Sequence, residues 1–223
     1  DLSTGEFSFT ELQASELANE IMRMRPAEIV VDSLNAQQYI KDLKIDYEPT
    51  ITVFDNWQFH PPEAQALLKR HFAVSSLEAF GAHNRANGAT AAGAALAYVM
   101  SLYQVPLSHI TSLHYYSLSQ YMQLDEISRR NLELSRSMRY GTKHGSLLSV
   151  IDLSETPMGS RLLAQWLTHP LVSVDDIVRR QQIIQAFIQK SAYLKEIRKK
   201  LKEIGDISRE IGRASCRERV FRT

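Results

Sequence analysis

The sequence predicts an α/β domain followed by an all-α domain. Residues 1–82 alternate short apolar runs of strand length with amphipathic helical segments, an order typical of strands covered by helices. From residue 83 to about residue 210 the apolar spacing is nearly all helical. Residues 81–88 contain two glycines and two asparagines, so the predicted domain boundary lies in this stretch.

Alternating signals predict the elements of the α/β part. Phe7 and Phe9 alternate with polar neighbours after a turn at Gly5, which predicts a strand. The other predicted elements are a helix capped by Ser15 and ended before Pro26, a strand over 28–32, a helix over 35–43, a strand over 51–54 and a helix from Pro61. Because a two-stranded ribbon is marginally stable, we expect partner strands upstream of residue 1 and an N-terminally incomplete domain.

Apolar spacing and cap residues predict the helical part. The predicted helices cover residues 89–103, 125–138, 157–168, 174–190 and 191–204, with an extended link over 110–122. Thr156 before Pro157 predicts an N-cap, and Ser173 predicts another. We expect Asn131 to be buried and to bond neighbouring backbone, because an unpaired buried amide is costly.

Two apolar stripes predict packed faces on the last two helices. The residues expected to face inward are Ile177, Ile184 and Ile188 on the first helix and Leu194, Ile197, Leu201 and Ile204 on the second.

Composition excludes several classes of protein. The chain has 223 residues, of which 44% are hydrophobic and 23% charged, and this excludes disordered and low-complexity classes. Cys216 is the single cysteine, so neither an internal disulfide nor a cysteine-rich zinc site can form. The sequence has no apolar run of membrane-spanning length, and we expect a cytoplasmic protein without membrane contact.

The C-terminal segment differs from the rest of the chain. Residues 212–220 resemble the in-frame translation of a common sequencing adapter, which predicts a non-native tail over residues 211–223 that is disordered. The formal net charge of the whole chain is +1. Without residues 212–223, which contain four arginines, the net charge is 22 minus 24, or −2. The charge alone therefore does not predict nucleic-acid binding.

No motif predicts catalysis. Gly88 and Gly93 have the glycine spacing of a phosphate-binding loop but lack its lysine, so a helix is the better interpretation. His144 lies in a glycine-flanked turn and is interpreted as a turn residue. We predict no catalytic, cofactor-binding or metal-ligating residues.

Two further groups of residues are interpreted as structural. The tyrosines Tyr115, Tyr116 and Tyr121 follow His109 and His114 in the chain, and packing is favoured there over base stacking. The cationic face formed by Lys195, Arg198, Lys199 and Lys202 also carries Glu196 and Glu203, which favours a solvated surface.

Three segments together resemble the MutS family of DNA mismatch-recognition proteins. They are L-D-E-I-S-R-R-N-L-E-L at 124–134, G-S-L-L-S-V-I-D at 145–152 and T-P-M-G-S-R-L-L-A-Q-W-L-T-H-P-L at 156–171. They occur in the family's order and close to its spacing. Residues 1–7, 25–29 and 179–182 add support, and the resemblance covers residues 1–210.

The resemblance implies a fold and partners. Residues 1–82 resemble the RNase H-like connector domain without its first strands, and residues 83–210 resemble the first part of the helical lever domain, truncated before its return helices. The family's mismatch wedge, DNA clamp and ATPase motifs have no counterpart here, so ATP and magnesium belong to the parent protein. The parent's partners would be mismatched double-stranded DNA, a MutL-type protein bound through the connector, and a second subunit in a homodimer.

Two alternatives remain open. An RNase H-like fold also suits a metal-dependent nuclease, for which Asp1, Glu28 and Asp32 are the candidate ligands. A freestanding helical adaptor is the other; it predicts a folded monomer with a sharp thermal transition, whereas a fragment with uncovered lever faces predicts aggregation.

Overall fold

The computed structural model describes residues 1–43, 45–54, 56–103, 107–122 and 124–210. These form two compact units, unit 1 at residues 1–117 and unit 2 at residues 118–210. The segment interpreted as adapter-derived, with Cys216, lies outside the described residues, and its origin stays a prediction.

Unit 1 is the α/β part that the alternating pattern predicts. Its elements are β1 (Ser8–Phe9), α1 (Ala14–Met24), β2 (Glu28–Val31), α2 (Leu34–Asp42), β3 (Thr50–Val53), α3 (Pro61–His71), α4 (Ala86–Tyr103) and β4 (His114–Tyr115), with short 3-10 turns at Asn56–Phe59 and Glu78–Phe80. The strands form two parallel pairs, β1 with β4 and β2 with β3.

The strand at Phe9 has a partner downstream in the chain. Ser8 pairs with His114 and Phe9 with Tyr115 in parallel register. This partner lies beside β1 because α1 through α4 intervene and bring the chain back. The expected strands before residue 1 stay a prediction. Local alternation predicts that a strand exists but carries no information on a partner more than a hundred residues away.

The described part of unit 1 has two apolar cores. One contains Phe9, Leu68, Leu96, Leu107 and Leu113, and joins α3 and α4 to the β1–β4 pair. The other contains Ile21, Val31 and Ile40 and lies between α1, α2 and the β2–β3 pair.

The close packing of α3 and α4 places the observed domain division later in the chain than predicted. A Cβ atom on Gly93 would lie 2.5 Å from the carbonyl oxygen of Ala64, so α4 packs on α3 through a position that only glycine fits. Helix α4 therefore belongs to unit 1, and the chain divides after Ser117. This division differs from the predicted boundary between residues 82 and 83, since Gly81 follows a 3-10 turn and Gly88 lies in α4, both within unit 1.

Unit 2 is built of five helices in its described part. They are α5 (Glu126–Asn131), α6 (Leu147–Ile151), α7 (Pro157–Thr168), α8 (Val174–Gln189) and α9 (Ser191–Leu201), after a 3-10 turn at Leu118–Gln120. The predicted caps are confirmed: the Thr156 hydroxyl accepts from the Gly159 N–H at 3.0 Å, and Ser173 caps α8. At α1, however, Gln13 rather than Ser15 occupies the cap position.

Three local predictions in unit 2 are wrong. The helix predicted over 125–138 ends at Asn131, because Glu133 takes a left-handed conformation at φ 47° that breaks the helix. Asn131 is exposed rather than buried. Ile184 and Ile188 are exposed on α8 rather than inward-facing, since α7, α8 and α9 have no fully buried side chain among the described residues.

Candidate functional site

Ion pairs connect separate segments of unit 2 where apolar burial is sparse. We call the set formed by Asp152, Glu155, Arg161, Arg198 and Asp206 the polar junction. Arg161 on α7 donates two hydrogen bonds to Asp206, at 2.6 and 2.7 Å. Arg198 on α9 pairs with Glu155 at 2.5 Å and donates to the Leu153 carbonyl at 2.9 Å. The loop before α7, α7 itself and the segment after α9 are thereby tied together.

Asp152 is the most heavily bonded member of the polar junction. Its carboxylate is buried and accepts from the Lys143 ammonium at 2.5 Å and from the Ser160 hydroxyl. These two hydrogen bonds hold the pKa of Asp152 well below its ordinary value. Asp152 therefore fastens α7 to the turn that precedes α6.

The carboxylates of the polar junction are suited to structure rather than to proton transfer. Hydrogen bonds from Arg161 lower the pKa of Asp206 to about 2, and the same pairing raises the pKa of Arg161. A general base works best with a pKa near the working pH, and these groups are moved away from it. Asp206 and Arg161 thus keep their charges at neutral pH.

Unit 1 contains a smaller buried polar cluster. The Tyr116 hydroxyl donates to Glu20 at 2.6 Å, and Arg23 on the same helix forms an ion pair with Glu20. Burial and the Glu20 carboxylate together raise the pKa of Tyr116. This cluster ties α1 to the segment after β4, and Tyr116 has the packing role that its sequence context predicts.

The candidate metal ligands of the nuclease alternative are each bonded elsewhere. Glu28 accepts from Thr52 and Tyr98, which lowers the pKa of Glu28. Asp1 accepts from the N–H of Ser3, and Asp32 from the hydroxyl of its neighbour. Within the described ranges no group of three His, Cys, Asp or Glu residues is placed to hold a metal ion. The convergent carboxylates that a two-metal nuclease needs are therefore not found in that part of the chain.

The singled-out histidines occupy separate environments. His109 is buried, and its Nε2 lies 3.0 Å from the Leu2 carbonyl oxygen. His114 contacts the Ser112 hydroxyl at 2.9 Å. His144 is exposed in a turn, as predicted, with its ring against Tyr140.

The cationic face of α9 is only partly solvated. Arg198 and Lys202 lie 2.5 and 3.7 Å from the carboxylate of Glu155, whereas Lys195 and Lys199 are exposed. The predicted solvated face is therefore confirmed for Lys195 and Lys199, and Arg198 instead belongs to the polar junction.

Sequence reasoning missed the polar junction. Asp152 and Arg161 lie within two of the three recognised segments, so their presence in these motifs was an available signal. Glu155 and Asp206 carry no such signal, because their partners lie far along the chain.

Comparison with known proteins defines the class to which this pair of units belongs. The model of MutS domain II matches residues 1–111, and the model of MutS domain III matches residues 127–222. The division after Ser117 falls between the two matches. Two consecutive domains of a DNA mismatch repair protein are thus present, and the chain belongs to the MutS family.

Curated relatives agree along almost the whole chain. It is similar to the DNA mismatch repair protein MutS of Protochlamydia amoebophila, with 35% identity over 97% of the chain and 26% of the relative. The corresponding values for the Chlorobium phaeobacteroides protein are 36%, 96% and 24%. The chain spans about a quarter of the length of these relatives. Among the described residues, no helix is long and apolar enough to cross a membrane.

Proposed function

We propose that the chain is the connector and lever of a DNA mismatch-recognition protein and is not catalytic by itself. The observation that carries this proposal is the match of MutS domains II and III, in that order, to residues that fold as two separate compact units. In this proposal unit 1 is the RNase H-like connector, which its parallel strand pairs support, and unit 2 is the first part of the lever.

The polar junction supports the lever role. A lever must pass a bias between distant sites, which requires elements that keep their relative positions under load. In unit 2 the helices bury few apolar side chains, so the fixed charges of Arg161, Arg198 and their partners take a larger share in holding the helices together. The lowered pKa of Asp206 keeps its ion pair with Arg161 unchanged at neutral pH.

The remaining activities belong, in this proposal, to the rest of the whole protein. ATP hydrolysis with magnesium, mismatch reading and the DNA clamp would be contributed by other domains of a cytoplasmic homodimer. A MutL-type partner would bind through unit 1. In mismatch recognition the chain would act as the connection between the DNA grip and the ATPase.

Activity measurements on the 223-residue chain test its non-catalytic status. We expect no ATP hydrolysis above a buffer control, no magnesium-dependent cleavage of DNA, and equal affinity for mismatched and perfectly paired duplexes. Asp32→Ala is the control for the nuclease alternative. DNA cleavage that needs magnesium and is lost in Asp32→Ala would overturn the proposal, as would tight binding selective for a mismatch.

A further inference from the structure

The segment from the end of α5 to the turn before α6 is strongly basic. Residues 129–144 contain five arginine and lysine side chains and a single acidic residue, Glu133. The whole chain has a net charge of only +1, so this local excess of +4 stands out. Concentrated positive charge on one short segment is the electrostatic feature of surfaces that bind polyanions.

Within this segment, the side chains of Arg139 and His144 lie against one exposed aromatic ring, that of Tyr140. We call Arg136, Arg139, Tyr140 and His144 the basic turn. The Arg139 guanidinium carbon lies 5.3 Å from the centre of the Tyr140 ring, and the His144 ring meets the same ring edge-on at 6.1 Å. Arg136 reaches the carbonyl of Gly141 at 3.4 Å. The Tyr140 residue is 57% exposed.

Hydrogen bonds hold the backbone of the basic turn in one conformation. Ser137 is buried, and its hydroxyl and carbonyl accept from the N–H groups of Tyr140 and Gly141 at 3.0 and 2.9 Å. The Ser137 N–H donates in turn to the Thr142 carbonyl. Gly141 takes the left-handed conformation at φ 64° that such a tight turn needs. The Tyr140 ring is therefore presented to solvent by an ordered turn, at low entropic cost for binding.

The arginines of the basic turn keep their charge available. In the described part of the chain, neither Arg136 nor Arg139 forms an ion pair with a carboxylate. Glu133 accepts from the Met138 N–H instead, and Lys143, which lies between the members of the turn, is paired with Asp152. Two guanidinium groups are left with open donor positions for a ligand.

We propose that the basic turn is a nucleic-acid contact that binds the phosphate backbone, with Tyr140 as a stacking surface for an exposed base or sugar. Guanidinium groups match phosphate oxygens with paired hydrogen bonds. An exposed aromatic ring beside them adds a stacking surface, which an acidic peptide does not require but a nucleic-acid strand uses. This contact is additional to the mismatch reading assigned to the rest of the whole protein, and it does not depend on the lever role.

Binding by the 223-residue chain tests the proposal with a matched pair of variants. Arg136→Gln with Arg139→Gln removes two charges from the basic turn, and Lys195→Gln with Lys199→Gln removes two exposed charges from α9. The readout is fluorescence anisotropy of labelled single-stranded and duplex DNA between about 50 and about 200 mM salt. We expect the turn variant to lose about tenfold in affinity. The slope of log affinity against log salt concentration should also become shallower by about two for duplex DNA. The affinity of the α9 variant should change by less than about twofold.

Tyr140 gives an independent arm of the test. Tyr140→Leu is expected to weaken single-strand binding by about tenfold and Tyr140→Phe to retain it, because phenylalanine keeps the stacking face. Circular dichroism confirms that each variant is folded. A further variant, with Gln at Arg213, Arg217, Arg219 and Arg222, separates the contribution of the C-terminal arginines.

Several results would overturn the proposal. Equal losses in the turn and α9 variants would show diffuse attraction rather than a site. Loss of binding only in the variant of the C-terminal arginines would place the contact there. An acidic peptide that binds as tightly as DNA and with the same dependence on Arg136 and Arg139 would make this a protein-docking surface.

Discussion

The Arg161 guanidinium and the Asp206 carboxylate form two hydrogen bonds, at 2.6 and 2.7 Å, between residues 45 positions apart in the chain. This pairing joins α7 to the segment that follows α9. Two-point arginine–carboxylate contacts fix direction as well as distance, which single-point lysine contacts do not. The pair therefore fixes the distance between α7 and the segment that follows α9.

Exchanging the two charges tests whether they act on each other. Arg161→Asp or Asp206→Arg alone places like charges opposite each other, so each is expected to lower the free energy of unfolding of unit 2. The exchanged double variant should recover part of the loss. Urea unfolding followed by Trp166 fluorescence in a Trp57→Phe background reports on unit 2 alone. Additive effects in the double variant, with Lys199→Asp as the exposed control, would show that the pair is not coupled.

Acid should weaken unit 2 through the same carboxylates. The folded pKa of Asp206, about 2, lies below its ordinary value of 3.8, and that of Asp152 is also lowered. Their stabilising contribution is therefore complete above about pH 4 and is lost as the pH falls towards about 2. The Trp166 unfolding midpoint should drop over this range in the wild type, and less in Asp152→Asn with Asp206→Asn. Identical pH profiles would contradict this assignment.

Thr156 is expected to stabilise α7 by capping it. Thr156→Ala removes the acceptor for the Gly159 N–H and should cost about 1 kcal/mol of unfolding free energy. Thr156→Ser keeps the hydroxyl and should restore most of the stability. Thermal unfolding of unit 2 compares the three proteins, and an unchanged Ala variant would show that the cap is dispensable.

Variants of α4 in unit 1 distinguish the effect of packing at Gly93 from that of helix propensity. Gly93→Ala improves propensity, but its new Cβ would meet the Ala64 backbone, so we expect a loss of about 1 to 3 kcal/mol. Ala91→Gly, on the exposed side of α4, should lose about 1 kcal/mol through propensity alone. Trp57 fluorescence in a Trp166→Phe background measures both. A stabilised Gly93→Ala would mean that α3 and α4 are not in close contact.

Local signals predicted local structure well. The cap at Thr156, the helix start at Pro61 and the presence of strands β2 and β3 follow from cap chemistry, proline geometry and alternation. The three recognised segments predicted the family, and two of them contain members of the polar junction.

What the sequence did not predict depends on tertiary structure. The helix at residues 125–138 stops early because Glu133 adopts a left-handed conformation that no local rule requires of glutamate. The observed division lies after Ser117 because Gly93 lets α4 pack on α3. This packing joins residues that are distant in the chain, so local signals do not predict it. Arg161 could not be matched to Asp206 from spacing alone, since many carboxylates are available at similar separations.

The coupling role is tested most directly in a whole protein. Residues 1–210 would replace the matching quarter of the Protochlamydia amoebophila protein, and ATP-induced release from a mismatched duplex would be timed, with and without Arg161→Ala and Asp206→Ala. The account predicts that both chimeras hydrolyse ATP and bind the mismatch alike, while the junction variant is released about tenfold more slowly, a loss within the usual range of coupling between sites. Equal release rates, with Lys195→Ala and Lys199→Ala as control, would contradict it.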